Sequence, residues 1–388
     1  MSRIKFLLFF FFLVANPVFK SFGQGGILSE DSKISILTIG TANESHTLYG
    51  HTGIRILDEK RGIDIVYNFG YFDFETPYFL AKFVKGDLQY FVATNQYSDF
   101  EYNYRMENRS IYEQTLNLSL EKKQQLSDKL HQNLFSQERY YTYKFIDKNC
   151  TTMVIDKVNE VLGSKIITTK KPVEITYREL LNTYLGNTFF QKLGINIIFG
   201  AKTDKKAEVL FLPLELMHVL KTTQFEGKPL VSETKTIFEA DVTKRPTSLW
   251  DNYYVFSAVI LLVLVFRKNR IYCFYFAILA LVGTFLSLVG FYSFHEEVNW
   301  NYNILLFNPT LLAWLYFYQK NNTKWIYNLS VFNLACILIY IVIVINKAQL
   351  LLLVPILITS TFILVKFARA SRKTNSKITI ARGRKESC

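Results

Sequence analysis

Along residues 51–68 apolar and polar side chains alternate, and at 150–162 that two-residue beat gives way to a helical one. His51 opens the first run, Thr52-Gly53-Ile54-Arg55-Ile56-Leu57. A polar turn, Asp58 to Gly62, joins it to a second run, Ile63 to Asn68. Alternation of this kind predicts a β-hairpin with one face buried. In the later segment apolar residues fall at 153, 154, 155, 158, 161 and 162, opposite Asp156, Lys157, Asn159 and Glu160. That spacing predicts an amphipathic helix, capped at its start by Asp147 or Asn149 and ended by Gly163. Cys150 falls in its first turn.

Longer apolar blocks bracket this region. Phe6 to Val14 follows Arg3 and Lys5 and precedes Ser21-Phe22-Gly23, the pattern of a signal peptide covering residues 1–23. From Trp250 onward come five apolar stretches, at 250–266, 271–292, 302–318, 325–345 and 348–365. Each is near the ~20 residues needed to cross a bilayer core. Bases gather after the first, third and fifth stretches, whereas the intervening loops hold Glu296, Glu297 and the single base Lys347. The positive-inside rule therefore predicts an exported domain over 24–249 and a transmembrane domain of about five helices over 250–366. It also places a basic tail, 367–388, in the cytoplasm. The expected location is the inner membrane, multi-pass, with the N-terminal domain in the periplasm. Lys202 to Lys206 and Ser232 to Lys244 read as polar connectors.

This topology changes the meaning of the net charge of +13. Beyond residue 250 there are fourteen Lys or Arg against four Asp or Glu, and thirteen of those bases are predicted to be cytoplasmic. They are orientation signals beside helix ends, which argues against a nucleic-acid partner. Topology also sorts the four cysteines. Cys273 and Cys336 lie in apolar stretches and Cys388 in the tail, so Cys150 alone is exported and has no disulfide partner there.

An unpaired exported thiol in the first turn of a helix is a candidate nucleophile, because the helix dipole favours the thiolate. The free backbone N–H groups of that turn are candidates to receive an oxyanion. A nucleophilic thiol needs a base within reach. Of the histidines, His46 sits in a polar loop, His131 on a polar helix, and His218 in a short helix where packing is expected. His51, at the start of the hairpin, is the candidate base. Asn68 on the returning strand is the leading candidate to orient it, with Asp64 and Tyr67 also open. No phosphate loop or metal-ligand spacing is present, so no cofactor or metal is expected.

Candidate substrate contacts are Tyr49, Tyr67, Arg178, His295 and Asn303. Arg178 is either a phosphate contact or half of a surface ion pair. His295, Glu296, Glu297, Asn301 and Asn303 lie in a predicted outer loop, where they would meet a headgroup or an amine, or simply be solvated. The chain is rich in Phe (34) and Tyr (24), and "GYFDFETPYFLAKF" at 70–83 is either a lipid-contacting surface or core.

"YGHTGIRI" at 49–56, "DIVYNFGYFDFETPYFLAKFVKGDLQY" at 64–90 and "DKNCTTMVIDKV" at 147–158 resemble the Lnb family of Bacteroidota. The resemblance continues through "ITYRELLNTYL", "FGAKTDKKAEVLFLPLEL" and "FHEEVNWNYNILLFNPT". Lnb proteins are lipoprotein N-acyltransferases. The resemblance implies an α+β, permuted papain-like (NlpC/P60-like) exported domain, with the histidine strand ahead of the cysteine helix, followed by an all-α membrane domain. It implies Cys150 as nucleophile and His51 as its histidine; Asn68 rests on the residues alone. The implied partners are the membrane, a phospholipid acyl donor and a diacylated lipoprotein acceptor. Two rival functions use the same features: an NlpC/P60-like cysteine peptidase or amidase acting on cell-wall peptides, and a non-enzymatic lipoprotein-binding protein.

Overall fold

The computed structural model describes residues 26–386, apart from 45, 169–173, 187, 242 and 244–247. The signal-peptide reading of residues 1–23 lies outside the described residues.

The hairpin forms as its alternation predicts. Strands β1 (Lys33–Ile39), β2 (His51–Asp58) and β3 (Ile63–Tyr71) pair antiparallel, and Gly62 closes the β2–β3 turn with φ +67°. Helix α1 (Phe79–Lys85) leads into β4 (Gln89–Gln96), helix α2 (Tyr97–Met106) and β5 (Ile111–Leu116). Helix α3 (Leu120–Phe135), β6 (Tyr140–Thr142) and α4 (Cys150–Leu162) follow. Then come α5 (Tyr177–Thr183), α6 (Phe189–Ile198), α7 (Pro213–Thr222), a small hairpin of β7 (Gln224–Phe225) and β8 (Lys228–Pro229), and β9 (Val231–Phe238). Seven strands form one sheet in the order β6-β4-β3-β2-β1-β5-β9.

The period of two puts alternate residues on opposite faces. Ile34, Ile36, Ile54, Ile56, Tyr67 and Phe69 form one face and pack with α3 and α4 through Leu126, Leu130, Val154 and Val158. Leu37, Ile39 and Val66 form the other and pack with Tyr97 and Phe100 of α2. The segment 232–244, read as a connector, instead supplies most of β9, the edge strand beside β5. Its Ser-Glu-Thr-Lys-Thr run is polar because its side chains are exposed at the edge, where charge discourages further pairing.

The C-terminal region is helical: α8 (Tyr253–Phe266), α9 (Asn269–Tyr292), α10 (Thr310–Gln319), α11 (Thr323–Val344) and α12 (Gln349–Glu386). Three of these, α9, α11 and α12 over Gln349–Thr374, are long and apolar enough to cross a membrane. The region read as about five spans thus holds five helices, of which α8 and α10 are shorter than the other three. At 1.5 Å per residue α8 and α10 reach about 21 and 15 Å, short of a ~30 Å hydrocarbon core. The 302–318 stretch breaks because Pro309 offers no N–H, and Asn308 Oδ1 caps Thr310 N (3.0 Å) to begin a new helix there. Ahead of the break, Tyr302–Leu305 forms a 3₁₀ turn.

Candidate active site

Helix α4 begins at Cys150 because Asn149 caps it. Asn149 Oδ1 accepts from Thr151 N (3.0 Å) and Thr152 N (3.1 Å), and Thr152 Oγ1 accepts from Asn149 N (2.8 Å). Asn149 is itself held by donating to the carbonyls of Phe145 and Phe211, each at 2.9 Å. The cap has a cost for the expected oxyanion site. Two of the first-turn N–H groups are already bonded, and among the described residues only that of Cys150 is uncommitted.

His51 opens β2 on the face shared with Gly53 and Arg55. Opposite Gly53 in the register stands Asn68. A Cβ at Gly53 would come within 3.2 Å of Asn68 Oδ1 and 3.0 Å of Val66, so the glycine makes room for the amide. Asn68 Oδ1 lies 3.1 Å from His51 Nε2. The amide is oriented from behind, since Asn68 Nδ2 donates to Asn95 Oδ1 (2.8 Å), which also accepts from Tyr71 Oη (2.8 Å). With Nε2–H donating to Asn68, the other ring nitrogen is left as the acceptor for the thiol proton. Of the other two candidates for this role, Asp64 is bonded to Arg55 (2.7 Å), and Tyr67 lies on the opposite face in the core.

The β2–β3 pairing ends at Gly53–Asn68, and β3 bulges between Phe69 and Tyr71. Gly70 sits in that bulge with φ +120°, a conformation L side chains rarely adopt. A Cβ there would be 3.9 Å from both Cys150 Cβ and His51 Cε1. The bulge is therefore the opening through which the histidine of one sheet face meets the cysteine of a helix packed on the other. Thr52 and Thr151 brace the junction, their hydroxyls 3.0 Å apart.

Electrostatics favour the thiolate. Burial pushes the Cys150 thiol up, but the charge and hydrogen bond of His51, the Thr52 backbone and the Thr151 side chain together hold it below its ordinary value. Tyr104, Tyr141 and Tyr143 sense the thiolate charge, and burial raises all three phenols, which stay neutral. Tyr104 also stacks on His51, with ring centroids 6.4 Å apart.

The remaining candidates lie elsewhere. Arg178 is neither a surface pair nor open to a phosphate. It is 2% exposed, with Nε donating to Asp204 (2.7 Å) and its other nitrogens to backbone carbonyls, those of Phe199 (2.9 Å) and Gly200 (3.1 Å) among them. Asp204 also accepts from Tyr302 and Lys347, each at 2.6 Å, so the "connector" at 202–206 is a strut to the helical region. Asn303 is fully buried, donating to the carbonyls of Asn196 and Ile197 and accepting from Tyr340 (2.8 Å). Tyr67 is core, and Tyr49 packs between Phe145 and Tyr184. His295 bonds the Phe83 carbonyl at 3.0 Å. His46 and His218 are exposed, and His131 lies against Phe135. A cavity of about 500 Å³ lies along α4, lined by Thr152, Asp156, Asn159 and Glu208 among others, and excludes Cys150 and His51. Among the described residues no three His, Cys, Asp or Glu side chains gather as metal ligands would.

Asn95, Tyr71 and Gly70 belong to the site and were not singled out from the sequence. The one available signal is Gly70 interrupting an otherwise regular strand pattern, a mark of a bulge.

The Lnb N-terminal periplasmic domain matches residues 19–183, and the Lnb transmembrane domain matches residues 242–377. No curated protein and no solved structure matches the chain. The two matched domains fall on the sheet region and the helical region in turn, so this is a membrane protein with a periplasmic N-terminal part, and the chain belongs to the Lnb family.

Proposed function

We propose that the protein is a lipoprotein N-acyltransferase of the inner membrane, working by a Cys150 thioester. The observation that carries this reading is the constellation at the bulge: the Cys150 side chain and the His51 ring both border Gly70, His51 holds the thiol below its ordinary pKa, and its Nε2 meets an asparagine. In the first step His51 takes the thiol proton and the thiolate attacks an ester carbonyl of a phospholipid. The C–O bond breaks, the proton passes from His51 to the departing alkoxide, and a lysophospholipid leaves. In the second step the α-amino group of a diacylglyceryl-cysteine attacks the thioester. An amide forms, the C–S bond breaks, and the amine's proton returns through His51 to the thiolate. Neither ATP nor a redox partner is consumed.

The uncommitted Cys150 N–H is the proposed oxyanion donor, and the apolar, tyrosine-lined surroundings favour amine over water as acceptor. A histidine strand preceding a cysteine helix supports a permuted papain-like domain over 24–249. The basic residues around 267–270 and 366–373 support a cytoplasmic C-terminus for the 250–366 membrane domain.

The test is intact-mass spectrometry of the full-length protein incubated with phospholipid and no amine acceptor, beside Cys150→Ser. A hydroxylamine-labile gain of one fatty acyl chain, absent from the variant, is the expected result. Absence of that adduct, with hydrolysis of cell-wall peptides in its place, would overturn the acyltransferase reading in favour of a peptidase.

A further inference from the structure

The segment from Gly70 to Gly86 runs from the Cys150–His51 pair to the top of a membrane-crossing helix. Several of its large apolar residues divide into two sets. Phe72 and Phe79 turn inward against the main core. Phe74, Tyr78 and Leu80 turn outward and are 73%, 84% and 71% exposed, and no residue of α1 is buried. An exposed apolar cluster of this density on a soluble surface marks a contact.

What covers it follows from how α1 ends. The last carbonyls of a helix lack intrahelical partners, and here three in succession are taken by the residues just beyond α9. Phe83 O accepts from His295 Nε2 (3.0 Å), Val84 O from Ser293 Oγ (2.8 Å) and Lys85 O from Phe294 N (2.7 Å). Since α9 ends at Tyr292, helix α1 is bonded to the chain within three residues of where a membrane span emerges. Phe291 (90% exposed), Phe294 (52%) and Trp300 (88%) lie exposed at or shortly beyond the end of that helix, and aromatic residues are enriched at bilayer boundaries.

We infer that residues 74–83 form a flap inserted in the bilayer leaflet on the periplasmic side, with Phe74, Tyr78, Leu80 and Phe83 among the fatty acyl chains. Resting on the reading above, the flap would also be the entry for the donor chain. At its far end Phe83 and His295 close together with Leu88, Tyr90 and Tyr143, leaving no space for a water molecule between them, and Tyr143 is one of the phenols that sense the Cys150 charge.

Photo-cross-linking tests the insertion without requiring catalysis. p-Benzoylphenylalanine would replace Phe74 or Tyr78, and as control Tyr102, which is 62% exposed on α2. The full-length protein would carry Cys150→Ser and be reconstituted in phosphatidylethanolamine–phosphatidylglycerol vesicles. The expected result is a mass gain of one phospholipid at positions 74 and 78, several-fold above that at 102, with fragmentation placing the bond on an acyl chain. Adducts no more frequent than at 102, or bonded to headgroups alone, would overturn the insertion. Because Cys150 is absent, acyl-chain adducts would stand even if wild-type protein formed no thioester, and the proposed reaction would then fail by itself.

Discussion

Two polar clusters of this molecule look alike in composition and differ in what they leave free. At the seam between sheet and helical regions, Arg178, Asp204, Tyr302 and Lys347 are tied together and every guanidinium nitrogen has a partner. At the bulge of β3, His51, Asn68, Asn95 and Tyr71 are equally well bonded, yet the chain of bonds ends on an imidazole beside a thiol and an unspent backbone N–H. The first cluster satisfies its groups and joins two regions. The second orients one imidazole and stops short of satisfying the nucleophile. Buried polarity alone does not mark chemistry; an oriented chain that terminates on a reactive atom does.

Substitutions should separate the two clusters. The largest effect expected is from Cys150→Ser, which should lower thioester formation by on the order of 10⁴-fold while leaving the thermal midpoint nearly unchanged. Stability loss equal to that of a seam variant would erase the distinction. Arg178→Ala should do the reverse, destabilising by about 3–5 kcal/mol because Asp204 is left as a buried charge short of its main partner. Denaturation of the detergent-solubilised protein measures this. Asn68→Ala should slow acylation by about 10²-fold through misplacement of His51, with little change in denaturation.

The two clusters also differ in their response to pH. Cys150 alkylation by iodoacetamide should reach half its plateau below the ordinary thiol range. In His51→Ala the midpoint should rise above that range, because burial remains and the lowering partner is gone. At the seam, burial alone would raise the Asp204 carboxyl, but Arg178, Lys347 and Tyr302 together lower it below its ordinary value of 3.8. A lowered folded-state pKa gives stability that is present above the ordinary value and lost as pH falls through the folded one. The stability gap between wild type and Asp204→Asn should therefore narrow on acidification below about pH 4. A gap independent of pH would show that the carboxylate charge does not hold the seam. The smallest effect is expected for Tyr71→Phe, which removes one bond to Asn95 and should slow acylation only a few-fold, about 1 kcal/mol or less.

The hairpin, the cysteine helix and the apolar C-terminal stretches were legible in the chain because each rests on short-range causes. Those causes are alternation at 51–57, helical spacing at 153–162, an Asn149 cap, and runs of apolar residues between clusters of Lys and Arg. The choice of Asn68 over Asp64 and Tyr67 was not legible, since it depends on strand register and on Asn95, 27 residues away. Nor could polarity at 202–206 and 232–244 distinguish a connector from a strut or an edge strand. The Lys347–Asp204 bond joins residues 143 apart, and β9 finds β5 across a similar interval. The sequence by itself determined the local elements and the residue types able to do thiol chemistry. Only the tertiary structure decided which polar groups meet, which are consumed in holding the regions together, and which aromatic residues face outward, because those outcomes follow from contacts between segments far apart in the chain.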